Sequence, residues 1–403
     1  MGAPVKSSPV AHAPSRQAGV AWSPVMKAGT VLLLACLIAG CSSPSPDRAP
    51  PETTPLWTTM VPTPLPLAET TVPTAVPVPL PVRGDEPLTR ISFIFNSSGD
   101  MHLVTLDLDP SALPGRGGGR DCPLASWHAG DEERLASYYA GIFKDPAEDA
   151  LYTPLLSQLR RFRRMEGLND DEYLELMVHF VQGIPYDPDA PVCPRTPAGV
   201  VLDGKGDCDE KSLLLLGLLH REGYDSAILL FPAKHHATAG IRIVTYNQPS
   251  FRVFDSGGRK YVYVETTRPS FIGLYPDDFA TEDPVVIPSG NGTITYRAIN
   301  DVMHIVSTQK RMEEKMTWLV TTGNGMVPEI NGLADRLSSG SGYDTQEEFD
   351  TDYSRYNALV TRYNGYVADF GKINEVYRFI LDHQDDRRGV TGRVENSKVE
   401  NLL

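Results

Sequence analysis

Residues 206–224 read GDCDEKSLLLLGLLHREGY and place one cysteine at the start of an apolar helix. Asp207 is suited to be the N-cap residue, and Glu210, three residues later, completes a capping box. Cys208 is then the first helical residue, where unpaired N–H groups and the helix dipole stabilise a thiolate. Because leucines surround the helix on all sides, we expect it to be buried. A thiol at the tip of a rigid helix is typical of a cysteine nucleophile.

The same motif also fits an inert cysteine in a protein core. Asp207 and Asp209 place the helix tip near water, which argues against a core position, but two acids also raise the pKa of a thiol. On this motif alone both interpretations stay open. A metal site formed by Asp207, Cys208, Asp209 and His236 is a weaker hypothesis, because the sequence offers no second closely spaced Cys or His pair. We expect neither a metal nor a cofactor.

The composition is that of a globular protein with two or three domains. The chain has 403 residues, of which 41% are hydrophobic and 22% charged. Its net charge of −14 argues against nucleic acid as a partner, because phosphate binding needs a basic surface.

The N-terminal 40 residues have the pattern of a signal peptide of the lipoprotein type. An apolar run at residues 28–40 follows Lys27 and ends in small residues before Cys41, and it is too short to span a bilayer. We expect cleavage before Cys41 and lipid attachment to it, with an ordinary cleaved signal as the alternative. Residues 41–87 are rich in Pro and Thr and predict an extended spacer. This order predicts a domain anchored to membrane lipid on the outer face of the cell membrane.

The body of the chain predicts strands on either side of the cysteine helix. A hairpin is expected around residues 97–100, followed by helices near residues 132–143, 150–165 and 170–181. After the cysteine helix, strands are expected at residues 226–231, 237–244 and 261–266.

Pairing the last two strands brings His236 close to Glu265. In the strand YVYVE the valines share one face, and Glu265 shares the other with two tyrosines. Cys208 is thus a candidate nucleophile, His236 the base that takes its proton, and Glu265 the acid that orients the imidazole. His235 falls on the strand face that looks buried and is the alternative base.

These motifs resemble the transglutaminase-like branch of the papain-like cysteine enzymes. The matching pieces are GDCDEKSLLLLGLLHREGYDSAILLF, HHATAGI and YVYVETTRPS, within residues 186–276. They are most similar to membrane-associated prokaryotic members of archaeal type. The resemblance implies an α+β fold in residues 88–295, with the nucleophile helix packed on an antiparallel sheet. It also implies Cys208, His236 and Glu265 as the triad.

The activity implied by the resemblance is hydrolysis of a peptide or amide bond in a peptide or protein substrate, with acyl transfer as the other reaction of the family. Two positions depart from the family pattern: Glu265 stands where Asp is usual, and Thr238 where an aromatic residue is common. Beside the Cys208 N–H, Gln182 and Tyr186 are candidates for the second oxyanion donor. The alternative is an inactive domain that binds peptides or envelope components, or a structural surface module.

Two other features leave alternatives open. Cys122 and Cys193 form a disulfide or remain two thiols. Residues 296–403 predict a coiled-coil-like helical region, in which either an intramolecular bundle or self-association buries the apolar seam. The seam is expected at two heptad positions, the first occupied by Tyr353, Val360, Val367, Asn374 and Leu381 and the second by Tyr356, Tyr363, Phe370 and Tyr377.

Overall fold

The computed structural model describes residues 78–80, 88–115, 122, 132–234, 236–244, 251–276, 279, 282–290 and 292–403. The predicted signal peptide, its Cys41, the alternative base His235 and most of the predicted spacer lie outside these residues. Within these ranges, no helix combines the length and the apolar character that a membrane span requires.

A three-stranded antiparallel sheet opens the described chain. Strands β2 (Leu88–Ser97) and β3 (Asp100–Leu108) form the expected hairpin, and β1 (Val78–Leu80) pairs with β2. The turn residues Ser98 and Gly99 both have positive φ, as a two-residue hairpin loop requires. Since β1 is an edge strand, it tolerates its central proline. These three residues therefore belong to a sheet, although the sequence predicted spacer up to residue 87.

In the described part of the chain this sheet is followed by five α-helices: α1 (Glu132–Phe143), α2 (Asp149–Glu166), α3 (Asp170–Gln182), α4 (Pro197–Asp203) and α5 (Cys208–Arg221). The leucines of α5 are fully buried, as expected. Gly217 interrupts them because the ring of Tyr152 on α2 lies directly over it. A Cβ at this position would come within 1.8 Å of the Tyr152 hydroxyl oxygen.

A five-stranded sheet carries the rest of the central region. Its strands are β4 (Ser226–Phe231), β5 (His236–Ile243), β6 (Phe254–Ser256), β7 (Arg259–Val264) and β8 (Val285–Pro288), in the order β6-β7-β5-β4-β8. All pairs are antiparallel, and the expected pairing of β5 with β7 is confirmed.

The two faces of this sheet differ in what covers them. One face joins the main core below α5 through small and branched side chains of β5 and β7, among them Ala237, Ala239, Ile241, Val262 and Val264. The other face carries a second cluster, formed by Leu229, Phe231, Phe254 and Tyr263 with Tyr275, Phe279 and Val286 packed against it. The sequence indicated that the face of β5 with Ala237 and Ala239 is the buried one. Both faces are in fact buried, since Thr238 on the other face is as inaccessible as Ala239.

The C-terminal region is helical, as expected. Helices α6 (Ile299–Ser339) and α7 (Gln346–Asp382) form a long antiparallel hairpin, and α8 (Arg387–Ser397) closes it. One heptad series is confirmed by the burial of Tyr363, Phe370 and Tyr377. The other is wrong by one residue, because Ile373 and Ile380 are fully buried in place of Asn374 and Leu381. Aliphatic side chains take the core position rather than a polar amide.

The base of this hairpin is part of the central core. Ile299, Val302 and Ile305 are fully buried in the same hydrophobic cluster as the leucines of α5. A buried ion pair adds to the connection, since Arg387 Nε donates to Glu175 Oε1 at 2.6 Å and Tyr296 donates to the same oxygen at 2.7 Å. The α+β core and the helical region thus share one interior.

Replacing Arg387 by methionine should destabilise the protein strongly, because it leaves the buried Glu175 carboxylate without its cation. We expect the free energy of unfolding to fall by about 3–5 kcal/mol in urea titrations. The neighbouring Arg388 is the matched control, since its side chain is 64% exposed and pairs with Glu172 at 2.8 Å. Arg388→Met should cost less than about 1 kcal/mol. Equal losses for both variants would contradict the role of Arg387.

Candidate functional site

Cys208 is the first residue of α5, as the capping box predicts. Asp207 Oδ1 accepts the Glu210 N–H at 3.0 Å, and Glu210 Oε2 accepts the Asp207 N–H at 3.0 Å. The thiol-bearing residue is 9% exposed and therefore lies at the edge of the core rather than deep inside it.

A buried arginine ties the cap of α5 to the loop that precedes it. Arg195 donates from Nε and its backbone N–H to Glu210 Oε1, both at 2.8 Å, and from a guanidinium nitrogen to Oε2 at 2.7 Å. The same guanidinium binds Asp187 at 2.7 Å. Two residues before Arg195, Cys193 forms a disulfide with Cys122, which decides between the two alternatives left open by the sequence. The loop before Cys208 is therefore fixed covalently and by charge.

His236 is the first residue of β5. The backbone N–H of the next residue, Ala237, acts to lower the pKa of the Cys208 thiol. One turn into α5, Ser212 Oγ reaches the Ala237 carbonyl at 3.5 Å and the Thr266 hydroxyl at 3.2 Å. These contacts bring the cysteine helix, the histidine strand and the segment after β7 together.

Glu265 is connected to His236 through a tyrosine. His236 Nε2 lies 3.1 Å from the Tyr263 hydroxyl, and that hydroxyl donates to Glu265 Oε2 at 3.1 Å. The other carboxylate oxygen, Oε1, accepts the Thr267 N–H at 2.7 Å and the Thr267 hydroxyl at 2.5 Å. The sequence predicted Glu265 on the imidazole itself, whereas the hydrogen bonds of the structure insert Tyr263 between them.

The surroundings of Cys208 favour the thiol over the thiolate. Burial raises its pKa well above the usual value, and the charges of Asp209 and Asp207 raise it further, while the Ala237 N–H opposes them. The sequence predicted that the helix dipole and the two acids act in opposite directions on the thiol, and burial adds to the effect of the acids.

The two flanking acids are themselves perturbed. Burial, with repulsion from Asp209, raises the pKa of Asp207 to about 7. Burial also raises the pKa of Asp209, although the Cys208 thiol, at 3.3 Å from Oδ1, and the Tyr139 hydroxyl, at 3.3 Å from Oδ2, oppose it. The ligand atoms of Asp207, Cys208 and Asp209 lie within 4.8 Å of one another, so these three could share a cation. Among the described residues, His236 is not part of that group.

Gln182 has a different role from the predicted oxyanion donor. Its Nε2 donates to the carbonyl oxygens of Glu265 at 2.9 Å and Ser270 at 3.1 Å. Both amide hydrogens are therefore used to hold the segment that carries the acid. The sequence could not show this, because both acceptors are backbone atoms more than 80 residues away.

Tyr186, the other predicted donor, lies near the cysteine. Its backbone is paired with Gly206, two residues before Cys208. Burial, followed by the charges of Cys208 and Asp207, raises the pKa of its hydroxyl to about 12. A hydroxyl that keeps its proton is a suitable donor to an oxyanion.

Lys211 is a residue of this site that the sequence did not single out. It is fully buried one turn after Cys208, and its ammonium nitrogen donates to the carbonyl oxygens of Ile184 at 2.6 Å and Gln182 at 3.3 Å. Burial lowers its pKa to about 7, and the nearby Glu265 opposes the shift. The signal in the sequence was a lysine just before the run of leucines, in a helix that was expected to be buried.

Replacing Asp209 by asparagine should lower the pKa of Cys208, because it removes a neighbouring negative charge while an amide oxygen can still accept from the thiol. The rate of iodoacetamide alkylation at Cys208, followed against pH by mass spectrometry, should then rise at lower pH than in the wild type. Asp335→Asn, at an exposed position of α6, is the control and should leave the profile unchanged. A profile unchanged in Asp209→Asn would show that this carboxyl group does not control the thiol.

Comparison with known proteins identified no relative. The chain matches no model of a known protein family, no curated protein and no solved structure.

Proposed function

We propose that this chain is a membrane-anchored, extracytoplasmic cysteine enzyme of transglutaminase-like type, which hydrolyses a peptide or amide bond. The observation that carries the proposal is that Ser212, one turn after Cys208, contacts both the residue that follows His236, at 3.5 Å, and the residue that follows Glu265, at 3.2 Å. It supports the proposal because it joins the helix of Cys208 to the segments of His236 and Glu265, and a thiol, an imidazole and an acid are the groups that nucleophilic acyl transfer requires.

The chemistry is general-base catalysis rather than attack by a preformed thiolate. His236 takes the thiol proton as Cys208 Sγ attacks the substrate carbonyl carbon, forming a tetrahedral intermediate with a C–S bond. The imidazolium then protonates the leaving amine, the C–N bond breaks, and a thioester remains on Cys208. Water, deprotonated by His236, cleaves the thioester to release the carboxylic acid and restore the thiol.

The oxyanion of the tetrahedral intermediate would form at the start of α5. The backbone N–H of Cys208 belongs to the first turn, whose amide groups point out of the helix and carry the positive end of its dipole. The Tyr186 hydroxyl is the second donor that we assign. A donor of this kind contributes about 10²–10³-fold to the rate in enzymes of this chemistry.

Hydrolysis is favoured over acyl transfer because water is the only acceptor it needs. Transfer to a protein amine needs a channel that protects the thioester from water, and the described residues provide no argument for one.

The location proposed for the domain has one structural support. The disulfide between Cys122 and Cys193 is of the kind that persists in oxidising compartments. Together with the lipoprotein-type signal, it favours a domain outside the membrane, held to lipid through Cys41.

A binding module without catalysis is the second candidate. It is favoured by the protonated state of Cys208 and by the two acids beside it, both of which slow attack by the thiol. Such a module would hold peptides or envelope components at the same helix tip.

Variants of Cys208 and His236 distinguish the two candidates. We expect the full chain to produce new peptide termini, or glutamate from glutamine, in a peptide mixture digested from envelope proteins and followed by mass spectrometry. Cys208→Ala should form no product, and His236→Ala should react about 10²–10⁴-fold more slowly, because the general base is lost.

His304→Ala is the matched control, since this histidine lies on α6 with 45% of its side chain exposed. It should react like the wild type. Product formation that survives in Cys208→Ala would exclude Cys208 as the nucleophile. Retention of peptides by the wild type and by Cys208→Ala, without any product, would overturn the enzyme in favour of the binding module.

Cys41→Ser tests the anchor separately. In cells fed an alkyne-labelled fatty acid, the wild-type protein should carry the label and sediment with membranes, because lipidation requires the cysteine thiol. The serine variant should lose the label. Label retained in Cys41→Ser would refute Cys41 as the lipid site.

A further inference from the structure

We propose that Tyr263 is a positioning residue that connects Glu265 to His236 and fixes which ring nitrogen of His236 carries the proton. The inference rests on the proposed function, since it concerns the base of that reaction. It extends the function by adding a fourth side chain between the histidine and the acid.

Two hydrogen bonds of equal length carry the inference. The Tyr263 oxygen lies 3.1 Å from His236 Nε2 and 3.1 Å from Glu265 Oε2. Tyr263 is 1% exposed, so water does not compete for its hydroxyl. A phenol has one hydrogen to donate and lone pairs that accept, so it can donate in only one of these two directions.

Glu265 fixes that direction because it acts only as an acceptor. Its other oxygen already receives two hydrogen bonds from Thr267, and its main-chain carbonyl is held by Gln182. Burial raises the pKa of Glu265, but the Thr267 hydrogen bonds and the neighbouring His236 outweigh burial and hold that pKa below its usual value. An ionised carboxylate takes the hydrogen of Tyr263.

The proton of His236 then belongs on Nε2. Since the Tyr263 hydrogen points to Glu265, the phenol oxygen accepts from the imidazole, and Nε2 must be the N–H nitrogen. The acceptor nitrogen of the neutral ring is then Nδ1, so in the proposed reaction Nδ1 is the nitrogen that would take the Cys208 proton. The tautomer required for a base is set before substrate binds.

Aromatic packing holds the imidazole in this orientation. The His236 ring is stacked on the Tyr263 ring, with centroids 6.2 Å apart and an interplanar angle of 24°. Two further rings pack against it. The centroid of the His236 ring lies 5.1 Å from that of Phe279, in a T-shaped arrangement, and 6.0 Å from that of Phe231. A rotated ring would have to displace these neighbours.

The tautomer can be read directly by NMR. The full chain is labelled with ring-¹⁵N histidine, and the His236 resonances are assigned by their loss in His236→Ala. At a pH where the ring is neutral, we expect Nε2 to resonate as the protonated nitrogen and Nδ1 as the unprotonated one. In Tyr263→Phe, both nitrogens should move toward averaged values, because the hydrogen-bond acceptor that selects the tautomer is gone.

Tyr261→Phe is the matched control. Tyr261 lies two residues earlier on β7, is also fully buried, and donates to Asp225 at 2.9 Å, away from the imidazole. We expect it to leave the His236 tautomer and the rate of product formation unchanged. Tyr263→Phe should lower the maximal rate on the peptide mixture by about 10–100-fold, as the loss of an orienting partner does.

Two results would overturn the inference: a wild-type His236 protonated on Nδ1, or a Tyr263→Phe variant with the wild-type tautomer and rate. If Tyr263→Phe fails to fold, Glu265→Gln replaces it, since a neutral amide no longer orients the hydroxyl and the tautomers should again mix. A tautomer that depends on Tyr263 in a protein that forms no product would support the arrangement while refuting hydrolysis.

Discussion

The rest of the site depends on the hydrogen bonds and the ion pair that the Glu210 carboxylate forms. It is fully buried and accepts hydrogen bonds from the Asp207 N–H that opens α5 and from the guanidinium and backbone of Arg195. A charge in this position is tolerable only because every partner is in place. One side chain therefore sets where the cysteine helix begins and where the disulfide-bonded loop ends. The thiol is positioned as a consequence of both.

A second set of contacts holds the neighbouring segments against the start of α5. Lys211 holds the carbonyl groups at the end of α3, and Gln182, at the same point, holds the carbonyl groups of the segment after β7. Cys208, Tyr186 and Glu265, the nucleophile, oxyanion donor and acid that we propose, lie on three different segments of the chain. Buried polar side chains acting on backbone atoms keep them in register, which leaves the reactive side chains available for chemistry.

The sequence predicted the longer elements of the central region, missed the short α4, β6 and β8, and said little about the contacts between elements. The capping box, the buried leucine helix and the pairing of β2 with β3 and of β5 with β7 could be predicted because they depend on local periodicity and turn residues, which are set by residues close in sequence. The position of Tyr263 could be predicted only in part. Strand alternation places it on the same face as Glu265, but it does not predict that the hydroxyl reaches the imidazole. The roles of Gln182 and Lys211 were hidden because their partners are main-chain atoms distant in sequence. In α7 the seam was misplaced by one residue, because two heptad registers were available and only packing chose the isoleucines.

The protonated thiol has a consequence for how long the protein stays intact. Oxidants attack thiolates much faster than thiols, and a chain that keeps a disulfide is exposed to oxidants. Cys208 is the free cysteine among the described residues, and its burial and acidic neighbours keep it in the less reactive form. The same features that slow the nucleophile thus preserve it against sulfenic acid formation. In the function that we propose, resistance to oxidation would come at the expense of the intrinsic reactivity of the thiol.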